Sequence, residues 1–145
     1  MKAEIKIISK SGVLPTYETE GSAGADLRAY LDEPVTLQPG ERRLVPTGLF
    51  VELPVGIEAQ IRARSGMAIK HGIGLVNGIG TVDSDYRGEI CVGVINQLKE
   101  PYTITPDERI AQLVIMPVSL ITPVEADELD ETERGAGGFG STGKI

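Results

Sequence analysis

The chain has 145 residues and a mass of 15.4 kDa, which corresponds to one domain large enough to bury a hydrophobic core. Its formal net charge of −7 argues against a general nucleic-acid-binding protein, because such a protein needs a basic face for the phosphates. Six acidic residues lie between residues 125 and 133, and without them the net charge would be −1, so the rest of the chain is nearly neutral.

This charge distribution divides the chain into two parts. We predict that residues 1–124 form the folded core and that residues 125–145 form an acidic linker followed by a glycine-rich tail. In the N-terminal sequence MKAEIKIISK, charges interrupt every apolar stretch, so we expect neither a signal peptide nor a membrane span. The single cysteine, Cys91, cannot form an internal disulfide, so we expect the protein in a reducing cytoplasm.

Apolar and polar residues alternate along several short segments, as in half-buried β-strands. The clearest is residues 57–63, IEAQIRA, in which every second residue is apolar. Similar runs occupy residues 3–8, 48–53, 89–96 and 109–116, and prolines lie between these runs. This spacing predicts an all-β sandwich or barrel.

One segment, SGMAIKHG, predicts a short helix. We expect Ser65 to be its N-cap, Met67 to His71 to form about two turns, and Gly72 to end it. The free backbone N–H group of Gly66 would lie beside the guanidinium of Arg64, which is an arrangement that binds phosphate. The alternative is a connecting helix with an ordinary cap. His71, the only histidine, lies at the far end of the helix and is interpreted as structural.

Residues 77–91, NGIGTVDSDYRGEIC, predict a β-hairpin in which Asn77 lies roughly opposite Cys91. Strand-favouring residues flank the turn-forming ones, the former being Ile79, Thr81, Val82, Ile90, Val92 and Val94 and the latter Ser84, Asp85 and Gly88. A narrow slot between the strands would offer backbone groups to a flat ligand, with the ring of Tyr86 and the carboxylate of Asp83 at its end. The alternative is an ordinary hairpin with a polar tip.

Two later segments contain further candidate residues. Gln112 is a polar residue inside the apolar run 110–116, so its side chain must find hydrogen-bond partners or emerge at a site. Glycines make up half of residues 134–143, and we expect a ligand to order this segment because it contains too little apolar area to fold alone. Phe139 could then lie over a base while Arg134 contacts phosphates. The alternative is a disordered terminus without a role.

The chain resembles the trimeric deoxyuridine triphosphatases in five motifs that occur in the family's order. The motifs are AGADLRA (residues 23–29), RSGMA (64–68), the predicted hairpin (77–91), ERIAQLV (108–114) and RGAGGFGSTG (134–143). No single motif is specific, but the set is. The resemblance implies a jelly-roll-like fold and a homotrimer with shared active sites. It also implies hydrolysis of dUTP to dUMP and pyrophosphate, which limits uracil incorporation into DNA and supplies dUMP for dTMP synthesis.

The same resemblance implies roles for individual residues. Asp83 would activate a water for in-line attack on the α-phosphorus, with Mg²⁺ held chiefly by the phosphates and water. Tyr86 would stack under the sugar and exclude a 2′-hydroxyl, and the hairpin would bind the uracil edge. The implied substrate-binding residues are Arg64, Ser65, Gly66, Asn77, Gly80, Thr81, Val82, Asp83, Tyr86, Cys91, Gln112, Arg134, Phe139 and Gly140.

Two residues and two rival functions stay open. Asp26 is either a strand-end acid or a residue near the metal's water shell, and Arg109 either serves the site or braces the subunits. A dCTP deaminase, which is a relative with the same architecture, would carry a further arginine where this chain has Ala68. A non-catalytic trimeric binding module is the second rival, and retention of Asp83 argues against it. Neither nucleic acid nor a membrane is expected as a partner.

Overall fold

The computed structural model describes residues 4–143, which form ten β-strands and one helix. The strands are β1 (Lys6–Ser9), β2 (Ala25–Arg28), β3 (Val35–Leu37), β4 (Arg42–Glu52), β5 (Ile57–Ala63), β6 (Ile73–Leu75), β7 (Ile79–Val82), β8 (Ile90–Asn96), β9 (Tyr102–Ile104) and β10 (Arg109–Pro117). The helix α1 (Ser65–His71) lies between β5 and β6. The predicted all-β class is confirmed.

Eight of the strands form two four-stranded antiparallel sheets. Their orders are β1-β4-β8-β6 and β2-β10-β5-β7, while β3 and β9 form a separate two-stranded sheet. Neither large sheet closes on itself, so the architecture is a jelly-roll sandwich rather than a closed barrel. The parts of the predictions that concern residues 1–3 and 144–145 lie outside the described residues.

The core is built from the apolar positions of the alternating strands. In β8 every second residue from Ile90 to Asn96 is buried, and in β5 Ala59 and Ile61 are buried. The run expected at residues 48–53 is the end of a longer strand, β4, which begins at Arg42. The pairing of β4 with β8 is irregular between Pro46 and Leu49, where a bulge interrupts the ladder.

The predicted pairing of the 77–91 hairpin is wrong. Strand β7 pairs with β5 in one sheet, whereas β8 pairs with β4 and β6 in the other. Cys91 therefore lies opposite Pro46 rather than opposite Asn77. Strand propensity identified both strands, but their partners are chosen by burial of apolar faces that are distant in sequence.

Helix α1 begins one residue earlier than predicted. Arg64 has an extended backbone and is the N-cap, while Ser65 is already the first helical residue and makes no capping hydrogen bond. Gly72 ends the helix in the left-handed conformation, as predicted. The helix start is set by Arg64, whose side chain is held by contacts outside the helix.

After β10 the chain leaves the sandwich. The Val118 amide donates to the Gly56 carbonyl at 2.9 Å, and every described hydrogen bond of residues 119–143 has its partner within that segment. Residues 4–143 contain no helix that is long and apolar enough to cross a membrane.

Asn96 provides a test of the packing between β8 and the small sheet. Its side-chain amide is fully buried, donates to the carbonyls of Leu37 and Glu100 at 3.0 and 2.8 Å, and accepts from the Leu98 amide at 2.9 Å. We expect Asn96→Ala to lower the free energy of unfolding by about 3 kcal/mol, because the carbonyl of buried Leu37 and two part-buried backbone groups lose their partner. Denaturant titration checks this value against Gln97→Ala, an exposed neighbour. Equal stability of the two variants would contradict the role of Asn96.

Candidate functional site

A cavity of about 290 Å³ lies between β7 and β8, where the two strands belong to different sheets. We call it the Asp83 cavity. Seven residues predicted from the sequence line it, namely Asn77, Gly80, Thr81, Val82, Asp83, Tyr86 and Cys91. The structure therefore brings these residues together although the hairpin that was expected to do so does not form.

One side of the Asp83 cavity is lined by β7, an edge strand of its sheet in this chain. A Cβ atom at Gly80 would lie 3.1 Å from Ile61 Cβ and 3.5 Å from Asn77 Nδ2, so a side chain here would be crowded. An edge strand keeps backbone hydrogen-bonding groups free on one side. The cavity can therefore bind a flat polar ring by its edge.

Asp83 and Tyr86 are exposed residues that line this cavity. Asp83 is exposed and directly follows the last residue of β7. Tyr86 is 46% exposed, and its hydroxyl donates to the Glu89 carbonyl at 3.0 Å, which fixes the ring. Burial raises the pKa of the Cys91 thiol, so this side chain is neutral at pH 7 and contributes packing.

Glu89 is a lining residue that the sequence analysis missed. Its carboxylate lies 2.8 Å from the Lys10 ammonium, and this hydrogen bond holds the pKa of Glu89 below its ordinary value and raises the pKa of Lys10. The sequence signal that could have identified Glu89 is a charged residue directly before the alternating strand β8.

A second cavity of about 290 Å³ lies at the start of α1. We call it the Arg64 cavity. It brings together five predicted residues from three motifs, namely Asp26, Arg64, Ser65, Gly66 and Gln112. Glu18, Ser22 and Gly24 also line it and were not predicted. Free N–H groups at the helix start, together with a guanidinium, suit an anion such as phosphate.

Asp26 holds the arginines of this cavity. Its carboxylate is only 8% exposed and binds Arg64 Nε at 2.9 Å and Arg109 Nη1 at 3.0 Å. Arg64 Nη1 also donates to the Arg109 carbonyl at 3.1 Å, and Arg109 Nη1 lies 3.1 Å from Glu18. The hydrogen bond to Asp26 raises the pKa of Arg109. Arg64 is therefore fixed in place before any ligand binds, and both carboxylate oxygens of Asp26 are already engaged.

Gln112 both finds a partner and lines the cavity. Its side-chain nitrogen donates to the Ala63 carbonyl at 2.9 Å, just before the helix start. The side chain lies against Gly24, where a Cβ atom would overlap the amide oxygen of Gln112. Gly24 thus provides the space that Gln112 occupies.

The tail residues lie apart from both cavities. Arg134 Nε donates to the Gly137 carbonyl at 2.7 Å, and Phe139 is fully exposed with φ +52°. Arg134, Phe139 and Gly140 line neither cavity in this chain.

Strand register separates Asp83 from Arg64 within one chain. Val82 pairs with Ala59, and Arg64, the residue directly after β5, lies five residues further along the chain. At about 3.3 Å per residue, the backbone next to Asp83 is about 17 Å from Arg64.

Comparisons with known proteins agree over nearly the whole chain. A family model described as dUTPase matches residues 10–143. A deoxyuridine 5'-triphosphate nucleotidohydrolase from Fusobacterium nucleatum is 58% identical over 144 residues, which is 99% of each chain. One from Anaeromyxobacter sp. (strain Fw109-5) is 59% identical and covers 90% of this chain and 88% of its own. The solved structure of a dUTPase variant from Staphylococcus bacteriophage 80alpha with dUpNHpp has a TM-score of 0.88 at 25% identity, covering 99% of this chain and all of that one.

The contact between Gly24 and Gln112 gives a test of the Arg64 cavity. We expect Gly24→Ala to displace Gln112 from the Ala63 carbonyl and to weaken binding of inorganic triphosphate about tenfold. Titration calorimetry measures this affinity. Gly21→Ala is the matched control, because a Cβ atom there meets no atom within 4 Å. An unchanged affinity in Gly24→Ala would exclude Gln112 from anion binding.

Proposed function

The chain belongs to the dUTPase family, and we infer that it is a hydrolase that converts dUTP to dUMP and pyrophosphate. The observation that carries this inference is the pair of cavities, since one suits a flat base and the other suits phosphate. The relatives' names favour neither a dCTP deaminase nor a non-catalytic binding module.

We propose that the Asp83 cavity binds uracil and deoxyribose. The exposed backbone edge of β7 and the Asn77 side chain would hydrogen-bond the uracil edge. The β7 backbone at Gly80, where a side chain would crowd Ile61 and Asn77, would lie close to the base and exclude the methyl group of thymine. Tyr86, fixed through its hydroxyl, would lie under the sugar and exclude a 2′-hydroxyl.

Asp83 is the proposed general base. It would take a proton from a water while the water oxygen forms a bond to the α-phosphorus. The bond from that phosphorus to the bridging oxygen then breaks, and its electron pair leaves with pyrophosphate. Support comes from Asp83 being exposed and lining the same cavity as Tyr86.

The proposed assembly is a homotrimer in which each site combines residues of different chains. The water that Asp83 activates must lie about 3 Å from the phosphorus. Arg64 of the same chain is held by Asp26 about 17 Å from the Val82–Ala59 pair next to Asp83, as the register and rise of the strands give. A neighbouring chain would therefore supply Arg64, Ser65, Gly66 and Gln112 to the triphosphate.

Mg²⁺ is the proposed cofactor, held by the triphosphate and water. The side chains fit this arrangement, because the Arg64 cavity presents donors and Asp26 has both oxygens engaged by arginines. Groups of three or more metal-ligating side chains are absent from residues 4–143. When bound, the ion would neutralise charge on the phosphates. Arg64 would add a fixed positive charge and Ser65 a hydrogen bond.

Residues 1–124 are the proposed core, and residues 125–145 are a tail that closes over the bound nucleotide. Arg134, Phe139 and Gly140 would then contact the substrate. Support comes from the lack of hydrogen bonds between residues 119–143 and the rest of the described chain. The protein would act in the cytoplasm, where Cys91 stays reduced.

Substrate selection tests the proposed activity. We expect pyrophosphate release from dUTP and at least about a hundredfold lower kcat/KM for dTTP, dCTP and UTP. The reason is that β7 and Asn77 would select the base edge while Tyr86 would select the sugar. A coupled pyrophosphate assay measures the four rates, and an ammonia assay with dCTP tests for deamination. Comparable turnover of dTTP would reject the proposed close approach at Gly80.

Mixed oligomers test the shared site. Asp83→Asn should bind dUTP without hydrolysing it, and Arg64→Ala should bind the triphosphate weakly, so each homo-oligomer should lose most activity. Co-refolding the two variants should restore activity, because some sites then combine an intact Asp83 with an intact Arg64. Mixtures that stay as inactive as the single variants would show that each site lies within one chain.

Truncation after Glu133 tests the tail. The shortened protein should stay folded, bind dUTP with a modest loss, and lose most of its single-turnover rate, because closure excludes water and orients the triphosphate. Phe139→Ala should show a milder form of the same defect. Quench-flow and calorimetry on both proteins give the rate and the affinity. An unchanged single-turnover rate would show that the tail is passive.

A further inference from the structure

Glu89 connects the segment that carries Asp83 and Tyr86 to the opposite sheet. Its carboxylate is 20% exposed and has two partners, Lys10 Nζ at 2.8 Å and the Gly48 backbone amide at 2.8 Å. Its carbonyl accepts the Tyr86 hydroxyl at 3.0 Å. One residue therefore links Tyr86 to the bulge in β4.

The bulge explains why a side chain that accepts a hydrogen bond is needed at position 89. Regular pairing between β4 and β8 is interrupted between Pro46 and Leu49, so the Gly48 amide has no ladder partner on β8. Gly48 has φ +71°, and a Cβ atom there would lie 3.0 Å from Tyr30, so glycine is required. The Glu89 carboxylate takes the place of the missing backbone acceptor.

The segment 83–88 has few other attachments. In the described chain its hydrogen bonds run within the segment or to Glu89, as when the Tyr86 amide donates to the Asp83 carbonyl at 3.2 Å. The position of Tyr86 in the cavity thus depends on where Glu89 is held.

Lys10 neutralises Glu89 in a cavity that must accept an anionic nucleotide. The Lys10 ammonium lies 5.3 Å from the Phe50 ring centre and 6.0 Å from that of Tyr30, and the Lys10 amide donates to the Gly48 carbonyl at 2.8 Å. Lys10 therefore contacts the bulge through its backbone and Glu89 through its side chain. The low pKa of Glu89 agrees with a carboxylate that stays ionised at neutral pH.

We propose that Glu89, held by Lys10 and the Gly48 bulge, is a positioning residue that sets Tyr86 against the sugar and so determines discrimination between dUTP and UTP. This inference rests on the proposed function of the Asp83 cavity. Glu89 contacts neither water nor phosphorus in the proposed reaction. It acts through the Tyr86 hydroxyl, which donates to its backbone carbonyl.

Three variants test whether Glu89 positions Tyr86 or only stabilises the fold. Glu89→Ala should lower the ratio of kcat/KM for dUTP over UTP about tenfold. Glu89→Gln keeps an acceptor for the Gly48 amide and should recover most of that ratio. Glu52→Ala is the matched control, because it removes a lysine–carboxylate pair between β1 and β4 whose side chains are exposed. Its ratio should equal that of the wild type. All assays are run well below each variant's melting temperature.

A double-mutant cycle with Tyr86→Phe tests the route of the effect. If Glu89 acts through the Tyr86 hydroxyl, then Glu89→Ala should reduce discrimination much less in the Tyr86→Phe background. Independent, additive effects would overturn the proposal, as would unchanged discrimination in Glu89→Ala.

Binding of dUMP and UMP, measured by calorimetry, repeats the comparison without hydrolysis. If the wild type does not distinguish dUMP from UMP, the proposed function of the Asp83 cavity and this inference are overturned together. A wild type that distinguishes them, with Glu89→Ala equally selective, overturns the inference alone.

Discussion

The pairing of β5 between β10 and β7 determines where both cavities form. On one side of β5, Gln112 of β10 lies opposite Arg62. On its other edge, β10 pairs with β2, where the same Gln112 lies opposite Asp26. On the other side of β5, β7 follows that strand and ends next to Asp83. A slip of one residue would turn each side chain to the other face of its sheet, so neither cavity would keep its lining. The same register keeps the Arg64 cavity, at the end of β5, distant from Asp83.

Charge compensation is the second feature that the two cavities share. Asp26 engages two arginines and thereby orients Arg64, while Lys10 engages Glu89. Among the described acids that line the Asp83 cavity, Asp83 is the one without an ion pair. A buried carboxylate beside a phosphate site would repel the ligand if it lacked a cation. The pairs thus leave a single free carboxylate where the proposed chemistry requires a base.

The sequence identifies the helix and several strands correctly, but it does not identify which distant residues and strands they contact. Strand propensity found β7 and β8, but local alternation carries no information about which distant strand each one joins. Ser65 was a reasonable cap by residue type, yet Arg64 takes that position because Asp26 and the Arg109 carbonyl hold its side chain. Glu89 was missed because its importance comes from a bulge at Gly48, far away in sequence. Each error depends on a contact that short-range pattern cannot contain.

The sequence by itself determined the all-β class, the helix end at Gly72, the family and most residues that line the two cavities. Those properties follow from local propensity, alternation and motif order, which are written in short stretches of chain. Tertiary structure alone decided that β7 and β8 lie in different sheets, that Asp26 holds Arg64, and that Asp83 lies at the other end of β5 from Arg64. These are long-range arrangements, because burial of apolar faces and pairing of buried charges select them only when the whole chain is folded.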